Sequence, residues 1–167
     1  MRRAALGCGL IAIVSAALPA AALAVREAVG TFGRWGAFSD TSPRRCFAIA
    51  EPVETVRGPV NRGFASVATW PGARQRAQLH VRLSRPRDPR AAVTLSIGER
   101  RFALTAGAAD AWAPDTRTDR AIVAAMRSGR SLSVESVAAR GGPFADVYAL
   151  GGAATAIDAA AVACSGG

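Results

Sequence analysis

Leu79, Val81 and Leu83 alternate with Gln78, His80 and Arg82, a period-two pattern that predicts a strand with one apolar and one wet face between Arg76 and Ser84. Val93, Leu95 and Ile97 repeat the pattern, Phe102 and Leu104 resume it after Gly98-Glu99, and the pair reads as a β-hairpin. Shorter apolar runs predict strands over Thr31–Phe38, Cys46–Ala50 and Arg62–Trp70, the last ended by the turn signal Trp70-Pro71-Gly72. Two prolines in Arg85-Pro86-Arg87-Asp88-Pro89-Arg90 exclude ladder and helix there and predict an exposed loop.

The period changes between Thr118 and Ser128. Ile122, Val123 and Met126 stand at helical spacing, Thr118 or Asp115 can cap the start, and Gly129 stops the run. Alternation returns at Leu132 and Val134, Gly141-Gly142-Pro143 turns the chain, and Phe144–Leu150 reads as a further strand. The alanine-rich segment Ala153–Ala163 predicts a C-terminal helix, with Ile157, Ala161 and Cys164 on one face. About eight short strands without a βαβ rhythm predict a mainly β fold, an antiparallel β-sandwich with one short helix and a C-terminal helix.

The first residues stand apart from this domain. Arg2-Arg3 precede an apolar stretch from Ala4 to Leu18, then Pro19 and the small-x-small triplet Ala22-Leu23-Ala24. This is the layout of a secretory signal peptide cleaved after Ala24, and the apolar run is short for a membrane span of about 20 residues. The expected organisation is residues 1–24 as signal peptide and 25–167 as one sandwich domain, without a transmembrane span after cleavage. Periplasmic or extracellular residence follows.

Cys8 leaves with the signal, so Cys46 and Cys164 have only each other to pair with in an oxidising compartment. Their bridge closes a loop of more than ~100 residues, which the chain-entropy description values at about 4–5 kcal/mol. No Cys-x-x-Cys occurs, so a structural bridge is expected rather than a redox site.

The chain carries a formal net charge of +9, and all 21 of its basic residues are arginine. Between Arg74 and Arg101 eight arginines stand against Asp88 and Glu99. Guanidinium groups bind phosphates and carboxylates through paired donors, which makes Arg74, Arg76, Arg82, Arg85, Arg87 and Arg90 the candidate anion-binding residues, with Arg76 and Arg82 expected on the wet face of one strand. An anionic envelope polymer, glycan or lipid head group is the ligand class this implies. The plainer reading is a solvated edge whose charges deter sheet-to-sheet association. An exported chain has little occasion to meet nucleic acid, and none is expected as a partner.

Catalytic chemistry finds little support. His80 is the only histidine and reads as a solvated side chain. One histidine and two paired cysteines do not make a zinc ligand set, so no metal and no cofactor are expected. Asp110, Asp115 and Asp119 cluster before the short helix, where capping and the helix dipole favour acids. Gly141-Gly142 and Gly151-Gly152 lack the spacing of a phosphate loop.

The segment from Arg120 to Val134, with Ile122, Met126, Gly129, Leu132 and Val134, followed by Tyr148–Asp158 with its Leu150-Gly151 pair and by Cys164, resembles the invasion associated locus B family of alphaproteobacterial exported proteins. The resemblance spans roughly residues 118–164, with weaker support from Trp35–Cys46. It implies an immunoglobulin-like β-sandwich in the periplasm or at the cell surface. It brings no catalytic residues, and the expected role is a non-enzymatic interaction or accessory module, with an envelope protein or anionic polymer as partner.

Overall fold

The computed structural model describes residues 25–53, 62–73 and 75–165. The signal-peptide expectation for residues 1–24 and the candidate Arg74 lie outside the described residues.

Ten strands form one continuous antiparallel sheet among the described residues: β1 (Arg26–Phe32), β2 (Trp35–Thr41), β3 (Arg44–Ala50), β4 (Phe64–Trp70), β5 (Gln75–Arg82), β6 (Val93–Ile97), β7 (Arg100–Ala106), β8 (Asp110–Trp112), β9 (Ser131–Val137) and β10 (Pro143–Ala149). Their spatial order is β1-β2-β3-β4-β5-β8-β7-β6-β9-β10. The fold is mainly β and sandwich-like, with a short helix α1 (Thr116–Ser128) and a C-terminal helix α2 (Ala153–Ser165), as the pattern predicts.

The first five strands form a meander, and the two halves of the sheet share one core. Trp35, Leu79 and Val81 from the first half join Leu95, Leu132, Val134 and Tyr148 from the second, all fully buried. Polar contacts stitch the halves as well: the Trp35 indole N–H donates to the Ala149 carbonyl at 2.8 Å. The Val53 amide donates to the Val147 carbonyl at 2.7 Å.

The expected strand Thr31–Phe38 is instead two strands. Gly33, at φ 61°, turns the chain between β1 and β2, a conformation that side chains other than glycine adopt at a cost. A Cβ there would stand 2.5 Å from the Gly151 carbonyl oxygen, so the β1–β2 turn and the turn entering α2 are held at backbone-to-backbone distance. β1 escaped the pattern because it is an edge strand with mostly exposed residues, and β8 because three residues cannot display a period.

α1 starts at the Asp115 cap, whose carboxylate accepts the Thr118 amide at 2.7 Å. Gly129 ends it, but with φ −77° rather than a left-handed turn. Its glycine is required by space: a Cβ would lie 2.5 Å from Ile97 Cγ2 and 3.0 Å from Leu150 Cδ1. α1 packs on β5, while α2 lies across β1 to β4. The buried face of α2 is Ala153, Ala156, Ile157, Ala160 and Cys164. Ala160 thus takes the place expected of Ala161, which is exposed.

Candidate functional site

The best-defined chemical feature is the bond between Cys46, on β3, and Cys164, in the last turn of α2. The two Cα atoms are 5.7 Å apart and the residues are separated by 118 positions, within the spacing a disulfide requires. Both cysteines are buried, Cys46 almost completely. The small side chains of α2 permit the close approach: alanine at 153, 156 and 160 lets the helix axis settle on β2 and β3, and the covalent link then fixes its C-terminal end.

The arginines of the candidate anion-binding set are not gathered on one face. Arg76 and Arg82 were expected to share the wet face of β5, and here the structure corrects the pattern. A register shift opposite Ala68–Trp70 and a left-handed Ala77, φ 53°, interrupt the alternation. Arg76 consequently lines a cleft beneath the helices, with Val123 and Ile157, whereas Arg82 meets Asp110 on the other side, its Nη1 donating to Oδ2 at 2.7 Å. Arg87 is half-buried, and its guanidinium donates to five backbone carbonyls: Gly107 (2.7 Å), Asp88 (2.9 Å), Pro89 (3.0 Å), Ala91 (2.6 Å) and Ala106 (2.9 Å). This side chain organises the proline-bearing loop, which is therefore pinned rather than merely exposed. An isolated bridge between Arg87 and Ala138 fastens it further. Arg85 is half-buried and Arg90 exposed.

The outer face of the first half carries two clusters that alternation alone does not reveal. In one, Asp40 accepts from Arg26 Nε at 2.8 Å and from Arg45 Nη2 at 2.6 Å. Arg45 lies over the rings of Phe47, at 4.4 Å, and Trp70, at 5.0 Å, and Phe38 stacks on Phe47. The hydrogen bond from Arg26, followed by that from Arg45, holds the Asp40 carboxyl below the usual carboxylate range. In the other, His80 Nε2 meets Asp110 Oδ1 at 2.9 Å. One face of its ring stacks on Trp112 and Phe64 meets it edge-on. The lone histidine is thus packed and paired, not simply solvated.

The three acids preceding α1 are dispersed. Asp110 pairs with His80 and Arg82, Asp115 caps the helix, and Asp119 is buried with its carboxylate accepting the Leu79 amide at 2.8 Å. Asp119 ties α1 to β5, and burial raises its pKa. Asp146 is fully buried on β10, where it accepts the Ser84 amide at 2.8 Å and its other oxygen has no hydrogen-bond partner among the described residues. Burial raises its pKa, and burial likewise raises that of the neighbouring Tyr148. Among the described residues no group of histidines, cysteines and acids could hold a metal ion, and no helix is long and apolar enough to cross a membrane.

No protein-family profile matches the chain, and no curated protein matches it. Among solved structures, the crystal structure of invasion associated protein B from Bartonella henselae is similar, with a TM-score of 0.58 and 18% sequence identity over 80% of this chain and 96% of that one. At that identity the likeness is one of fold, and it agrees with the resemblance read from the Arg120–Cys164 region.

Proposed function

We propose that this protein is an exported accessory protein of the bacterial envelope, of the invasion associated locus B type, acting by interaction rather than by catalysis. The observation that carries this reading is the Cys46–Cys164 bond, which staples the C-terminal helix to β3. Such a bond persists in oxidising compartments, and the signal-peptide layout of residues 1–24 supplies the route there. The dispersal of Asp110, Asp115 and Asp119 into pairing, capping and packing roles supports a non-enzymatic role. The outer face, where Arg26 and Arg45 lie over Phe47, Arg45 over Trp70 and Phe38 stacks on Phe47, has the residue types enriched at protein interfaces. A role in invasion is not carried over, because a fold hosts many functions.

The test is fractionation with thiol trapping. The expected result is an envelope protein beginning at Val25 whose two cysteines resist alkylation until reduced, and a variant lacking residues 2–24 that stays in the cytoplasm with free thiols. A full-length chain in the cytoplasm with reactive thiols would falsify the reading. Binding of anionic glycans or lipid head groups through Arg74, Arg76, Arg82, Arg85, Arg87 and Arg90 is the weaker alternative, since Arg82 and Arg87 already have protein partners.

A further inference from the structure

Beneath the two helices, and in front of the disulfide, lies a cleft of about 620 Å³, within the roughly 300–1,000 Å³ typical of small-molecule sites. Its walls are aliphatic, formed by Val67 of β4, Val123 of α1 and Ile157 and Ala160 of α2, with Trp70 on the rim. The cleft exists because α2 is built of alanines. The Cys46–Cys164 bond fixes the helix against the sheet, and methyl side chains do not fill the space between α2, α1 and β5.

The charged groups at the cleft are unequally committed. Arg127 and Asp158 join α1 to α2 through two hydrogen bonds of 2.9 and 2.6 Å, and so neutralise one another. Arg76 is the third charged residue of the lining. It is exposed, and it makes no ion pair or hydrogen bond with any of the described residues. Its placement there is a built feature: regular alternation would have turned it to the outer face with Gln78 and His80, and the register shift with a left-handed Ala77 redirects it. A non-glycine residue in that conformation is sterically costly.

We propose that the cleft binds a fatty carboxylate, its aliphatic chain lying along Val67, Val123 and Ile157 and its carboxylate paired with Arg76. The lining matches this class. It offers an aliphatic wall and, at the edge, one cation without an ion-pair partner among the described residues, while its other polar side chains are already engaged: Arg127 with Asp158, Ser165 with the Val162 carbonyl and Thr69 with the Ala77 amide. The site rests on the packing of α2 and on the disulfide that holds it, and does not require the accessory role proposed above.

The experiment is calorimetric titration of the oxidised protein with dodecanoate below its micelle concentration, alongside dodecanol and dodecyltrimethylammonium. Two variants accompany it. Arg76→Glu reverses the cation, and Ala161→Phe, at an exposed position on the cleft lining, narrows the cleft without entering the core; near-ultraviolet circular dichroism confirms that each remains folded. The expected result is saturable one-to-one binding of dodecanoate, weakened about tenfold or more by Arg76→Glu and lost in Ala161→Phe, with dodecanol weaker than dodecanoate and the ammonium amphiphile weaker still. Three results would overturn the proposal: no saturable binding, dodecanoate binding unchanged in both variants, or the cationic amphiphile binding as tightly as the carboxylate.

Discussion

The two faces of the sheet from β1 to β8 both carry arginines, yet they differ in what they leave unsatisfied. On the outer face Arg26, Arg45 and Arg82 are each matched to a carboxylate, Asp40 or Asp110, with Phe47 and Trp70 against Arg45 and with Phe64 and Trp112 against His80. The inner face carries small and aliphatic side chains, a disulfide, and a cleft in which Arg76 has no partner among the described residues. Total charge does not distinguish the faces. What does is whether each cation already has its complement, which net charge of +9 cannot express.

The largest effect should come from cutting the inner face's covalent link. Replacing both Cys46 and Cys164 by alanine is expected to cost about 4–5 kcal/mol in chemical denaturation, following the chain-entropy account of so long a loop. Reduction of the native protein should produce a loss of similar size, since the loop is opened in either case. A loss below about 1 kcal/mol would mean that α2 is held by packing alone.

Arg87 should come next, because its removal leaves several carbonyls without their donor. Arg87→Ala is expected to lower stability by about 3 kcal/mol, and Arg87→Lys to recover only part of that, since an ammonium cannot reproduce the planar fork. The Arg85–Arg90 loop should then become the first site of limited proteolysis. Equal stability of the lysine variant and the native protein would show that charge, rather than the fork, holds the loop.

Asp146 tests the core shared by the two halves. Asp146→Ala orphans the Ser84 amide and should cost about 1–3 kcal/mol, while Asp146→Asn keeps an acceptor and should cost less. The native carboxyl has a folded pKa above its unfolded value, so its charged form is a burden at neutral pH, and lowering the pH relieves it from the folded value down to the unfolded one. The stability of the Asn variant relative to the native protein should therefore be most favourable near neutrality and decline as the solution becomes acidic.

Asp40, on the outer face, has the opposite sign. Its folded pKa lies below the unfolded value, so its contribution is fully present above roughly pH 4 and is lost as the pH falls through the folded value. Asp40→Asn should cost about 1 kcal/mol near neutrality, with the difference vanishing in acid. The smallest effect belongs to Arg76→Glu, expected within about 0.5 kcal/mol of the native stability, because that side chain makes no contact the fold relies on.

Much of this molecule was legible in the chain. The hairpin of β6 and β7, both helices, the β9 and β10 strands and the pairing of Cys46 with Cys164 all follow from local periods, turn residues and an even count of cysteines after residue 24. These are properties that a run of a few residues expresses by itself: side chains alternating across a strand or recurring along a helix must segregate apolar from polar groups wherever the segment is placed.

Tertiary structure decided what depends on distant partners. The split of the first strand rests on Gly33 meeting the turn at Gly151 and Gly152, and the dispersal of Asp110, Asp115 and Asp119 rests on which strand or helix lies opposite each. The fate of the arginines is the clearest case. Arg76, Arg82 and Arg87 are chemically identical in sequence, but one faces an aliphatic cleft, one faces a carboxylate and one is ringed by carbonyls. A guanidinium's role is set by the groups within hydrogen-bonding reach, and those groups come from strands far along the chain.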